Sequence, residues 1–206
     1  LAEETFEDLS VLLAENPEPV GRPWNSPGLP DEVFQRGAVP MTKEEVRAIS
    51  VCKLRLQPHH VVWDVGAGTG SVSLECALAC PAGQVFAIEK NPEAVSLLEE
   101  NKARLGASNL TIVPGTAPAA LEDLPAPDRV FLGGTSGSLD DILMMIFEKN
   151  PAARVVCTAV TLETVGEAAR LFAHLAEADM VQLSVTRTRK AGRYHLMDAQ
   201  NPVWII

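Results

Sequence analysis

Apolar and polar positions along this chain follow two alternating rhythms. Short, mostly apolar runs at 61–65, 84–89, 109–113, 128–132 and 153–159 have the length of buried strands. Between them apolar residues recur at helical spacing over 71–80, 92–105, 138–149 and 162–177, with a shorter helical stretch near 117–122. Two more strands are predicted, 180–188 and 202–206, with only a loop between them, so they should pair antiparallel. Strands alternating with helices predict a mainly parallel sheet with right-handed crossovers.

Helix boundaries are marked locally. Thr42, with Glu45 three residues on, reads as a capping box opening a helix with Val46, Ile49, Val51 and Leu54 on its apolar face. Asn91 followed by Pro92 reads as an N-cap and first helical residue, and Gly106 as the stop. Before these elements, Pro17, Pro19, Pro23, Pro27 and Pro30 with Gly21 and Gly28 predict a linker or irregular arm. Trp24 is expected to anchor that arm, on the domain or on another subunit. Residues 1–15 read equally as a short helix and strand or as a tail.

The strongest chemical signal is Val61-Val62-Trp63-Asp64-Val65-Gly66-Ala67-Gly68-Thr69-Gly70 followed by the helix at Ser71. Glycines at every second position permit a tight turn and close approach of a ligand to the backbone. The helix behind them offers unpaired N–H groups and a positive dipole end. The spacing is not the G-x-G-x-x-G of dinucleotide sites, and no triphosphate P-loop occurs. Glu89 lies 19 residues past Gly70, at the end of the second strand, where an acid can bind ribose hydroxyls. Asn91 is the better helix cap, which leaves Glu89 for that role.

Composition narrows the classes. The 206 residues are 47% hydrophobic and 21% charged, enough for one domain with a substantial core. A formal net charge of −10 argues against a nucleic-acid footprint over the whole surface. No apolar run approaches the roughly 20 residues that span a bilayer, and no secretory signal is visible. Cys52, Cys76, Cys80 and Cys157 stand in apolar contexts without C-x-x-C, and are expected to be reduced core thiols of a cytoplasmic protein. Cys76, Cys80, His59 and His60 lack metal-ligand spacing, so no metal site is expected.

The carboxyl ends of the strands should line one rim. Besides the glycine turn they bring Gly115-Thr116-Ala117, Gly133-Gly134-Thr135-Ser136-Gly137 and Thr161-Leu162-Glu163-Thr164. The second glycine cluster reads either as a close backbone approach to a ligand or as a flexible connector. Arg187, Arg189, Lys190 and Arg193 place four of the 17 basic residues within seven positions. They read either as a carboxylate-binding group or as a solvated loop.

The run Asp64-Val65-Gly66-Ala67-Gly68-Thr69-Gly70 resembles motif I of class I S-adenosylmethionine-dependent methyltransferases. A narrower resemblance is carried by Gly28–Phe34, Val39–Ala48, Val62–Glu75, Phe131–Gly137 and Thr158–Thr164. Together these are similar to the precorrin methyltransferases/decarboxylases of cobalamin biosynthesis, which methylate carbon 15 of a precorrin-6B-type tetrapyrrole and decarboxylate its ring-C acetate. That family occurs alone or as the C-terminal half of precorrin-6Y methyltransferase, and the resemblance covers about residues 28–206. Phe6–Pro17 is similar to the end of the upstream tetrapyrrole methylase half.

The resemblance implies a Rossmann-like α/β fold over 38–206, with a seven-stranded, mainly parallel sheet and an antiparallel last strand. Residues 1–37 would be a remnant of an upstream domain with its linker and arm. It implies S-adenosyl-L-methionine as cofactor, held by Thr42, Gly66, Ala67, Gly68, Thr69, Gly70, Glu89 and Ala117. Thr116 stands where the family often has an acid. The tetrapyrrole substrate carries many carboxylates, so Gly133, Gly134, Ser136 and Gly137 are expected against it, with Arg187, Arg189 and Arg193 supplying at least one carboxylate anchor. A homo-oligomer, a tetramer as in the family, is expected, with no nucleic-acid or membrane partner. Rival readings are a methyltransferase for RNA or protein and a non-catalytic cofactor-binding module.

Overall fold

A computed structural model describes residues 27–173 and 177–206. Seven strands form one sheet in the order β3-β2-β1-β4-β5-β9-β6. They are β1 (Val61–Val65), β2 (Gln84–Glu89), β3 (Leu110–Pro114), β4 (Arg129–Leu132), β5 (Arg154–Ala159), β6 (Val181–Leu183) and β9 (Val203–Ile205). The first five pair in parallel, and β9 runs antiparallel between β5 and β6. The seven-stranded, mainly parallel sheet with an antiparallel last strand is therefore as expected.

Side-chain alternation along β1 explains why its strand is apolar throughout. Val62 packs toward α1 (Glu44–Leu54), α2 (Ser71–Ala79) and α3 (Pro92–Leu105), while Trp63 and Val65 pack toward α4 (Leu139–Lys149) and α5 (Leu162–Phe172). Both faces are covered, so neither alternate position can be polar without cost. Asp64, facing the first side, is the exception, with 1% of its surface exposed.

Four expectations need correction. Thr42 does not cap α1: the helix starts at Glu44 behind Lys43, and no side chain caps it. The Thr42 carbonyl instead accepts from the buried Arg47 guanidinium at 2.6 Å. The strand expected over 180–188 is broken at 184–185, and the loop expected between the last two sheet strands is itself a hairpin. Its strands are β7 (Thr186–Ala191) and β8 (Tyr194–Ala199), paired apart from the main sheet and turning at Gly192 in a left-handed conformation. Of the basic cluster, Arg187 and Arg189 thus stand two apart on β7, and Arg193 lies in the turn before β8. Residues 27–37, expected to be arm, enter the core: Leu29 and Phe34 are 1% and 5% exposed. Finally, Cys52 is exposed, whereas Cys76, Cys80 and Cys157 are buried. Trp24 and the remainder of 1–26 lie outside the described residues.

The N-terminal segment is held by charge as well as by Leu29 and Phe34. Arg47 on α1 and Glu75 on α2 pair at 2.6 Å with the arginine fully buried. Glu75 also accepts the backbone N–H groups of Gly28 and Leu29, while Arg47 donates to the Leu29 carbonyl and reaches Asp31. Asn101 on α3 adds a second clasp, bonding the backbone of Gln35 in both directions and the Thr69 carbonyl. Sequence reading missed both. Arg47 and Glu75 each stand among apolar helix positions, which was the available signal.

Candidate active site

At the carboxyl ends of β1, β2 and β4 the chain encloses a cavity of about 530 Å³, within the usual range for small-molecule sites. Gly66, Ala67, Gly68, Glu89, Gly115, Ala117, Gly133, Gly134 and Ser136 line it, with Thr42 and Met41 from the segment leading into α1. Sequence distance is bridged here by the parallel sheet, which brings every β-to-helix loop to one rim.

The glycine turn has the shape that its residues dictate. Gly66, Gly68 and Gly70 all adopt positive φ, where a Cβ is strained. A Cβ on Gly66 would stand 2.7 Å from the Gly134 carbonyl oxygen, so the two glycine loops abut as backbone. The Gly66 and Ala67 N–H groups both donate to the Ile88 carbonyl at 3.0 Å, tying the turn to the end of β2. Thr69 and Gly70 are not on the cavity wall. Thr69 is buried, and a Cβ on Gly70 would meet Leu98 of α3 at 2.6 Å. Their place is behind the turn.

Glu89 is held more firmly than the sequence suggested. Its Oε2 accepts from the Gly68 N–H, and its Oε1 accepts from the N–H groups of Lys90 and Asn91, each at 2.8 Å. Asn91 caps α3 as expected, accepting from the Glu93 N–H, with Pro92 in the first turn. Glu89 is therefore not idle. A carboxylate has about four acceptor sites, so after these three bonds the remaining capacity is chiefly on Oε2, the oxygen that faces the glycine turn.

Beneath the turn, Asp64 accepts from the Ser73 hydroxyl, while its other oxygen has no partner. Burial pushes its carboxyl up to about 7, against the opposing Ser73 bond and with the Glu89 charge adding to the rise. The buried thiols are likewise raised by burial, Cys80 to about 11 and Cys157 to about 12, which keeps them protonated.

The basic cluster departs from its expected role. Arg187 forms a two-pronged pair with Glu45 at 2.7 and 2.9 Å and lies 3.3 Å from Asp31. That bond holds Glu45 below the usual carboxylate range. Arg189 faces Asp198 at 3.9 Å, and Arg193 lies over its neighbour Tyr194. None of the three is on the cavity wall, nor is Gly137. The cations that do line it, Lys43 and Lys90, were not picked out in the sequence because each stands beside a helix start and reads as surface.

These residues fit S-adenosylmethionine. The turn leaves backbone bare where side chains would intrude, an acid with a free acceptor site stands beside it, and Gly115 and Ala117 line the wall beyond the third strand with little or no side chain. Comparison with known proteins agrees. Residues 32–206 match the model of the precorrin methyltransferase domain family. A probable cobalt-precorrin-6B C(15)-methyltransferase (decarboxylating) of Pyrobaculum calidifontis is 41% identical over 188 residues, covering 89% of this chain and 96% of that protein. The cobalt-precorrin-6B C(15)-methyltransferase (decarboxylating) of Salmonella typhimurium is 42% identical over 180 residues, covering 85% and 93%. The crystal structure of precorrin-6Y C5,15-methyltransferase from Geobacter metallireducens superposes with a TM-score of 0.81 at 37% identity, over 86% of this chain and 93% of that one. The chain belongs to the precorrin methyltransferase family, whose S-adenosylmethionine-dependent chemistry the cavity suits.

Proposed function

We propose that this chain methylates carbon 15 of a cobalt-precorrin-6B-type tetrapyrrole and decarboxylates its ring-C acetate, using S-adenosylmethionine. The observation that carries the reading is the glycine-turn cavity with Glu89 fixed at its edge, in a chain more than 40% identical to enzymes named for that reaction.

Bound there, S-adenosylmethionine supplies an electrophilic methyl group on a sulfonium. The chain's part is to bind, align and exclude water. In this reading Glu89 accepts a ribose hydroxyl through Oε2, and Gly66, Ala67 and Gly68 give backbone contact. Ala117 flanks the adenine, and Thr42 stands at the methionine end. Thr69 and Gly70 support the turn from behind. Gly133, Gly134 and Ser136 face the macrocycle, with Gly137 as the pivot of their loop. Arg187, Arg189 and Arg193, already paired or stacked, act on the hairpin that carries them.

The chain also reads as a homo-oligomer joined through that hairpin. Every residue of β8 is exposed, and Tyr194, Leu196 and Met197 are 59%, 45% and 84% exposed. A lone two-stranded ribbon has little stability of its own, and its unpaired edges invite a second copy. Four free thiols suit a reducing compartment such as the cytoplasm.

Incubation with methyl-labelled S-adenosylmethionine and cobalt-precorrin-6B tests the function. The expected product carries the label and has lost one carboxyl group as carbon dioxide. Label on RNA or protein with none on the tetrapyrrole would overturn it.

A further inference from the structure

The cavity's charge runs against that of the chain. The sequence has 27 acidic and 17 basic residues, yet the charged side chains on the cavity wall are Lys43, Glu89 and Lys90. Glu89 is already met by three backbone N–H groups. Among the described residues, neither lysine has a carboxylate within 4.0 Å, while Arg47, Arg187 and Arg189 all do. An uncompensated cation in a concave site raises the local concentration of anions even on an acidic protein.

Of the two lysines, Lys90 is held in place. Its own N–H is bonded to Glu89, and its Nζ donates to the Ser136 hydroxyl at 2.9 Å. Ser136 belongs to the glycine loop after β4 and adopts φ 51°, one of two non-glycine residues with positive φ among those described. A left-handed backbone at a side-chain-bearing residue is uncommon, and such residues cluster at active sites and ligand clamps. The contact joins the loop after β2 to the loop after β4 across the mouth. Because the hydroxyl is neutral, it orients the ammonium without cancelling its charge. An ammonium has three protons, so two stay available at an exposed position.

We propose that Lys90, oriented by Ser136, is a substrate-binding residue that anchors a peripheral carboxylate of the macrocycle. This rests on the tetrapyrrole reading above, in which the substrate must bear at least the carboxyl group that is lost. The arginines of the hairpin do not fill this role: acids already hold Arg187 and Arg189, Arg193 lies over Tyr194, and none of the three lines the cavity.

Lys90→Gln, Lys90→Arg and Ser136→Ala test it, with Lys102→Gln on the far turn of α3 as a control for net charge. S-adenosylhomocysteine affinity is read by calorimetry, binding of uroporphyrin (a polycarboxylated tetrapyrrole) by fluorescence at two salt concentrations, and kcat/KM on cobalt-precorrin-6B. Lys90→Gln should weaken uroporphyrin binding and lower kcat/KM by about 10-fold, the worth of one charge-assisted contact. The loss should shrink at high salt. S-adenosylhomocysteine affinity should stay within about twofold, far below the effect of losing such a contact. Lys90→Arg should retain most binding, Ser136→Ala should show a smaller loss, and Lys102→Gln none. An unchanged response to uroporphyrin and substrate in Lys90→Gln would overturn the anchor, as would wild type that ignores uroporphyrin. An equal loss of S-adenosylhomocysteine affinity would also overturn it, making Lys90 a cover for the cofactor. Normal methylation of cobalt-precorrin-6B by Lys90→Gln sinks the anchor and leaves the function standing. Lys90-dependent uroporphyrin binding without any methylation does the reverse.

Discussion

Asp64, Glu75 and Glu89 are three carboxylates close to one turn, each in a different environment. Glu89 is met by backbone donors, Glu75 by a buried guanidinium, and Asp64 by a single hydroxyl. Burial pushes the Asp64 carboxyl up to about 7. A carboxyl raised in the folded chain binds more protons there than in the unfolded chain, whose ordinary value is 3.8. Stability from this group is therefore complete below about pH 4 and is lost as pH rises through about 7. Asp64→Asn keeps an acceptor for Ser73 and removes the titration. Urea unfolding of both proteins from pH 4 to 8 should show the variant gaining on wild type by up to about 4 kcal/mol, at 1.36 kcal/mol per unit. Parallel stability curves would show that Asp64 is ionised and solvated after all.

Between elements, legibility depended on whether the signal was local. The β1 run, the glycine turn, Asn91-Pro92 at the start of α3 and Gly106 at its end were readable because strand length, left-handed backbone and capping are set by adjacent residues. Most of the cavity wall was readable for the same reason, once parallel pairing brings the loops to one rim. The Thr42 cap failed because the Arg47 guanidinium, five residues on in α1, takes the Thr42 carbonyl, and the helix begins at Glu44. The hairpin was missed because Thr186–Ala191 is polar on both faces and gives no buried alternation. The Arg47–Glu75 node was missed because a charge in a helix reads as surface until its partner, 28 residues away, is known. That node is also what ties 27–37 to α1 and α2. Glu75→Gln keeps the shape but leaves Arg47 with Asp31 as its remaining acidic partner. It should cost about 3 kcal/mol or more, as removal of one partner from a buried pair does. A loss below about 1 kcal/mol by chemical denaturation, the scale of an exposed pair, would mean that Asp31 and the backbone carbonyls suffice. Apolar replacement of both Arg47 and Glu75 should cost less than the single change.

Across the whole molecule, the hairpin and the cavity share one support. Arg187, near the start of β7, grips Glu45 in the first turn of α1, while Lys43 and Thr42 just before that turn line the cavity. A surface ion pair with both partners more than a third exposed is too weak to fix a ribbon by itself. Tyr194, Leu196 and Met197 remain exposed among the described residues, with only the Arg193 guanidinium over the Tyr194 ring. A second copy packing there would bury these side chains and pair the ribbon's free edges, which a symmetric contact does for both copies at once. Light scattering should therefore give this chain a mass that is a multiple of 22.1 kDa at micromolar concentration. Leu196→Lys with Met197→Lys puts a charge on each face of β8 and should return the mass to that of one chain. The circular dichroism of the main sheet and helices should be retained, since neither residue belongs to either core cluster. Affinity for S-adenosylhomocysteine should fall modestly in the dissociated protein if a docked ribbon keeps Arg187 on Glu45, and Arg187→Gln should produce the same fall without dissociation. A wild-type mass of 22.1 kDa would refute assembly through the hairpin. An oligomer that survives both lysines would place the contact on another face.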